Sequence, residues 1–253
     1  MPFMNFSRPG LIASIRRSVF SGAGNEHRPH KILYSIILVQ FLLLAGVALW
    51  PSPPVGRLFR DPLAIAEEYP FCCHVYDGLF SNMGVLLWWT AAVAAGFAAL
   101  VTARLSKRRH EVLVLSVAAG FSAWLALDDL FMLHEKLFPK LGLSQPEILA
   151  LYGVLAAVYI AFSWRVVLTA APLLLLMGIG MLGLSGSFDI LADHDLGAAS
   201  AWLLEHWRLQ ILLEDGAKFL GIGFWCCLHL AAAMNVIVEV AQSSSTTDPT
   251  SQA

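Results

Sequence analysis

Six apolar runs dominate the chain, at 32–50, 79–103, 112–133, 148–164, 166–184 and 209–238, separated by short polar or proline-containing stretches. A helix needs about 20 consecutive apolar residues to cross a hydrocarbon core about 30 Å thick, and these runs meet or approach that length. The pattern predicts an all-α fold, a polytopic membrane protein built as a six-transmembrane-helix bundle. Pro51-Ser52-Pro53-Pro54 ends the first run, and only Trp164-Arg165 divides the fourth from the fifth, which predicts a tight helical hairpin there. The sixth run is long enough to tilt or project from the bilayer, and Ser200 is a candidate N-cap that would start it before Trp202. The first run is read as a retained span, because a long basic segment precedes it and no small-residue cleavage site follows.

Composition agrees with the pattern. Hydrophobic residues make up 58% of the chain and charged ones 13%, and the mean hydropathy is +0.68. A chain of 253 residues has room for one such bundle and no substantial second domain. The organisation read from it is a basic N-terminal segment over 1–31, at the membrane surface or disordered, a transmembrane domain over 32–241 and a disordered tail over 242–253. The net charge is −2, and no basic stripe interleaved with aromatic residues occurs, which argues against a nucleic-acid partner. The expected partners are the lipid bilayer and other membrane subunits.

Lysine and arginine in short loops stay cytoplasmic. With both termini cytoplasmic, ten of the 16 basic residues fall inside, among them Arg104, Lys107, Arg108, Arg109 and Arg165. The same topology puts fourteen of the 18 acidic residues at the outer end. Acids contribute little to topology, so this second asymmetry is independent information. The expected location is a bacterial inner membrane, with the acidic end periplasmic.

Cys72-Cys73 and Cys226-Cys227 match no zinc or thioredoxin spacing. The second pair reads as small apolar packing residues. The first, with His74, is either an interfacial loop or a soft-metal site. Small residues four apart, Ala92/Gly96, Ala95/Ala99, Gly183/Ser187 and Ala217/Gly221, predict close helix approach.

Candidate chemistry concentrates at the outer end. Asp128 lies about 24 Å into the third span at about 1.5 Å per residue, and ionisable groups at such depth are functional candidates. A continuous helix would align Asp128 with Glu135, turning Asp129 sideways and His134 to another face. In the sixth span Gln210, Glu214, Lys218 and Trp225 share a stripe, with Arg208 and Asp215 on the next. If the third and sixth helices adjoin, several carboxylates meet one lysine, and protons or a cation must neutralise the excess.

The expected ligands of such a cation are Asp129, His134, Glu135, Glu214 and Asp215, the carboxylate and imidazole donors used in helix-bundle metal sites. Adjacent His-Glu steps, rather than Glu-x-x-His, weigh against a di-iron centre. The candidate cofactor is a divalent metal ion, of unknown identity, and the catalytic candidates are Asp128, Asp129 and Lys218. An enzyme of this kind would carry out metal-assisted hydrolysis or oxidation of a lipid-like substrate, with Lys218 stabilising developing negative charge. The alternatives are a proton- or cation-coupled transporter using Asp128, Asp129 and Glu214, and an accessory subunit of a larger membrane complex. A purely structural role would pair Glu214 with Lys218 and Arg208 with Asp215. The 185–200 loop, with Asp189, Asp193, His194 and Asp195, could close over the cluster with His206, although Asp189 is more simply a helix cap.

The segments Leu127-Asp128-Asp129 with Leu133-His134-Glu135, and Leu213-Glu214-Asp215-Gly216-Ala217-Lys218-Phe219-Leu220-Gly221, resemble those of small uncharacterised bacterial polytopic membrane proteins. That resemblance implies one site made from both segments and supplies no chemistry.

Overall fold

The computed structural model describes residues 30–50, 54–68, 74–193 and 205–245. Among them there is no strand. The helices are α1 (His30–Leu49), α2 (Val55–Phe59), α3 (Pro62–Glu68), α4 (Leu79–Leu105), α5 (Arg109–Phe131), α6 (Phe138–Lys140), α7 (Gln145–Ala170), α8 (Pro172–Asp193) and α9 (Trp207–Ser245), with a π-turn over Leu133–Leu137. Six of these, α1, α4, α5, α7, α8 and α9, are long and apolar enough to cross a membrane.

α9 is the axis of the bundle and packs on α1, α4 and α8. Its span is 72% buried within the protein, against 17% for α7. Leu38, Val39 and Leu42 on α1, and Leu86, Val93 and Phe97 on α4, instead leave apolar faces outward. A bilayer solvates such faces, and the helices satisfy their backbone groups internally, as hydrocarbon requires.

Small residues set the close approaches. A Cβ on Gly221 of α9 would lie 2.9 Å from the Leu182 backbone nitrogen of α8, so that crossing has no room for a side chain. Ala95 and Ala99 are buried on α4, and a Cβ on Gly96 would touch Ala119 of α5 at 3.5 Å. Cys226 and Cys227 are free and fully buried in this core.

Two predicted boundaries move. α7 runs through Trp164-Arg165 to Ala170, and the break before α8 falls at Ala171, one residue ahead of Pro172. Proline lacks an N–H and crowds the preceding turn, and this outweighs the single arginine that marked the predicted hairpin. Pro172 therefore starts α8. α5 ends at Phe131, capped by Met132 in a left-handed conformation (φ 49°), where the sequence pattern predicts helix to residue 133.

The termini 1–29 and 246–253 lie outside the described residues, as do Cys72, Cys73, Trp202 and the 194–200 part of the expected 185–200 loop, Ser200 included. The described part of that loop is helical, since α8 continues to Asp193.

Candidate functional site: an acidic cavity at one end of the bundle

The reversal at Met132 builds the first half of the site. The Met132 N–H bonds back to the Asp128 carbonyl, and Lys136 N–H donates to the Met132 carbonyl at 2.8 Å. The chain then widens into the π-turn over Leu133–Leu137, a helical turn that recurs at functional sites. His134 is thereby swung back over Asp128, which the expectation of one continuous helix does not provide. Asp128 and Glu135 consequently do not form a shared helical face.

Asp128 is buried and accepts three hydrogen bonds: from His134 N–H at 3.0 Å, from His134 Nδ1 at 2.6 Å and from the Tyr152 hydroxyl of α7 at 2.9 Å. The backbone N–H and the tyrosine hydroxyl are donors by their chemistry, and the ring nitrogen donates in the tautomer that carries its proton on Nδ1. Nε2 of the same ring lies 3.5 Å from Glu135 Oε1. The imidazole thus sits between two carboxylates. Burial opposes its charge, but the hydrogen bonds to Asp128 and Glu135 prevail and raise its pKa to about 9. The bond to His134 likewise holds Glu135 below the usual carboxylate range, with the nearby Lys218 and Lys136 charges assisting against burial.

The second half comes from α9 and α4. Lys218 Nζ bonds Asp129 Oδ1 at 2.9 Å, and Trp88 Nε1 of α4 donates to Asp129 Oδ2 at 2.9 Å. The lysine therefore pairs between helices, where a purely structural role had it pairing with Glu214 along α9. Trp225 turns into the core instead, donating to Ser122 at 3.0 Å. Arg208 donates to the Trp50 carbonyl.

These elements surround a cavity of about 390 Å³. Its carboxylates are Asp61, Asp129, Glu135, Asp189, Glu214 and Asp215, and its cations are Arg60, Lys136 and Lys218. Five expected site residues, Asp129, Glu135, Glu214, Asp215 and Lys218, therefore share one cavity. Asp128 and His134 do not line it, and Asp215 feels Glu214, Lys218, Asp61 and Glu135 electrostatically. Asp189 is not a cap; it sits in the last turns of α8 and accepts from Gln145 at 2.8 Å.

Sequence reasoning missed Asp61, Ser81, Trp88 and Tyr152. The α2–α3 segment brings Asp61 in, and the Ser81 hydroxyl donates to it. Arg57 grips Asp77 through two bonds of 2.8 and 2.7 Å, and Lys136 reaches Glu67 at 2.6 Å. Gly78 must adopt φ +67° here, and a Cβ on it would sit 2.4 Å from the Pro62 ring. Burial pushes Asp61 above the usual carboxylate range; Lys218 and Ser81 pull it back, while Glu135 and Asp129 add to the rise.

Asp128, Asp129 and His134 each offer a ligand atom within 4.8 Å of the others, close enough to hold a metal ion. His74 lies apart from the cavity, stacked on Tyr76 at 5.2 Å.

Fold and site together define an all-helical protein with six helices able to span a membrane and an acidic cavity where five of their ends converge. The chain belongs to the family of the domain of unknown function DUF8692, whose family model matches residues 34–232. No curated protein and no solved structure matches it.

Proposed function

We propose that this chain is a multi-pass protein of the bacterial inner membrane, with both termini cytoplasmic, whose periplasm-facing cavity binds a divalent metal ion. One observation carries the reading: six carboxylates meet three cations around a single cavity at the end of an apolar bundle. So much negative charge in a low dielectric calls for neutralisation by protons or a cation. The donor set, oxygen with at most one imidazole, suits magnesium or manganese better than a soft metal.

As an enzyme the protein would use Asp129, Glu135, Glu214 and Asp215 as oxygen ligands and His134 Nε2, once the ion had displaced its proton, as a nitrogen ligand. Asp128 would hold the imidazole through Nδ1, the outer carboxylate that orients many metal-bound histidines. The bound ion would supply a nucleophilic water for hydrolysis of a lipid-like substrate, and Lys218 would stabilise the negative charge that develops.

The test is elemental analysis of detergent-purified protein. Wild type is expected to hold stoichiometric metal, and Asp129→Asn and Glu214→Gln to lose it. No metal in any sample would leave the second reading, a proton-coupled carrier. That reading draws on the Asp128–His134–Glu135 chain, in which both imidazole nitrogens face carboxylates.

A further inference from the structure

The end of the bundle opposite the cavity, where α4 and α7 finish and α5 begins, carries more positive charge than the protein neutralises. Arg104, Lys107, Arg109 and Arg165 are exposed there. Arg108 pairs with Glu239 of α9, and the other carboxylate described at this end is Glu111, in the first turn of α5. Five cations against two carboxylates leave a surplus of three positive charges among these side chains. Among the described residues no ion pair joins Arg104, Lys107, Arg109 or Arg165 to a carboxylate, whereas Arg57, Lys136 and Lys218 at the cavity end each hold one.

Arg165 indicates what this surplus faces. It lies on α7, whose span is the least buried of the six at 17%, one and a half turns before the helix ends at Ala170. An arginine on a lipid-facing helix turns its guanidinium out to the headgroup layer, and with no carboxylate from the protein its counter-ion must come from there. The guanidinium lies 5.4 Å over the Trp164 ring, and Trp164, itself exposed, is the type of side chain that collects at the membrane–water boundary. Arg165 shares a face of α7 with Phe162, three residues earlier, and the Phe162 ring lies 5.4 Å from the ring of His110 in the first turn of α5. Arg109, beside His110, and Arg165 therefore stand at the same end of one seam between α5 and α7. Below them the seam is apolar and open, with Leu113 52% and Phe162 39% exposed.

We propose that the α5–α7 seam holds an anionic phospholipid of the surrounding bilayer, its headgroup phosphate between Arg109 and Arg165 and its acyl chains along Leu113 and Phe162. Guanidinium groups bind phosphate oxygens in paired hydrogen bonds, and basic pockets between spanning helices select anionic headgroups in this way. Arg104 and Lys107 add to the attractive field from the neighbouring turn. A zwitterionic lipid offers the same phosphate with a cation attached, so it gains less from a surface with surplus positive charge, and the discrimination is between net-anionic and neutral headgroups. The assignment requires only that the helices span a bilayer; it depends neither on what the cavity binds nor on which end is cytoplasmic.

The experiment is native mass spectrometry of the full chain in detergent, titrated separately with phosphatidylglycerol and with phosphatidylethanolamine of the same acyl chains, so that single binding events are resolved and their affinities compared. The first phosphatidylglycerol is expected to bind about tenfold or more tightly than phosphatidylethanolamine. A basic residue near the headgroups contributes about fivefold to the affinity for an anionic lipid. Arg109→Gln and Arg165→Gln should therefore each weaken phosphatidylglycerol by about that factor, and the double variant should lose the preference. Its phosphatidylethanolamine affinity should stay that of wild type, which also reports that the variant is folded. Lys140→Gln, an exposed cation at the cavity end, is the control and should leave the preference intact. Equal affinity for the two lipids in wild type overturns the inference and leaves the cations to an acidic protein surface. A preference that survives in the double variant, or that Lys140→Gln weakens as much, overturns it as well, because the selectivity then belongs to another site or to surface charge at large.

Discussion

Asp128 shows how one side chain can organise a site without lining it. Its three donors come from two elements, the π-turn and α7, so removing its charge disturbs both. Asp128→Asn would set an amide against at least one donor and release the imidazole. The His134 pKa lies near 9 instead of 6.5, so the stability this pair contributes is complete below about pH 6.5 and lost as pH rises through about 9. The shift corresponds to roughly 3 kcal/mol. Melting temperature in metal-free buffer is therefore expected to fall between pH 7 and 10 in wild type, and His134→Gln should flatten that fall. An equal fall in the variant would refute the assignment. Lys218→Gln would leave Asp129, whose side chain is 11% exposed, with the Trp88 donor but no cation; with the lysine side chain itself 34% exposed, the expected loss is about 1–3 kcal/mol, readable by thermal unfolding in detergent.

Helix ends, more than helix faces, assemble the cavity. α4, α7 and α9 begin there and α5 and α8 finish there, with the α2–α3 segment set among them. Lipid-facing sequence has little freedom to vary, so the polar residues collect where helices stop. The segment's attachment depends on the left-handed Gly78 beneath Pro62. Gly78→Ala should destabilise the protein by about 1–3 kcal/mol through backbone strain and the clash, and should weaken binding of a divalent ion such as Mn²⁺ because the negative charge of Asp61 shifts within the cavity lining. Unchanged affinity would detach α2–α3 from the site. The α8–α9 crossing permits a control: Gly221→Val should lower the melting temperature by forcing Leu182 away, wherever the ligand binds.

Across the whole molecule the charges separate by end. Arg108 pairs with Glu239 where α4 meets α5 and α9 nears its finish, while the cavity carboxylates occupy the other end. This polarity matches the basic and acidic asymmetries along the chain and motivates cytoplasmic termini. A single cysteine placed in the 246–253 tail of a Cys72/Cys73-free variant should resist a membrane-impermeant thiol reagent in intact cells and react after lysis. Labelling in intact cells would invert the orientation and put the cavity on the cytoplasmic side.

Hydrophobic run length alone predicted the six helices long and apolar enough to cross a membrane, because crossing hydrocarbon imposes a minimum length and forbids unsatisfied backbone. Burial cost likewise marked Asp128, Asp129, Glu214, Asp215 and Lys218 as candidates, since charge in apolar sequence is rarely tolerated without use; all of them but Asp128 line the cavity. The pairing of Lys218 with Asp129, the fold-back of His134 onto Asp128 and the entry of Asp61, Trp88 and Tyr152 were decided only in three dimensions. Helical periodicity describes neighbours three and four apart on an unbroken helix; the left-handed turn at Met132 ends that rule, and contacts between helices depend on which ends the bundle brings together.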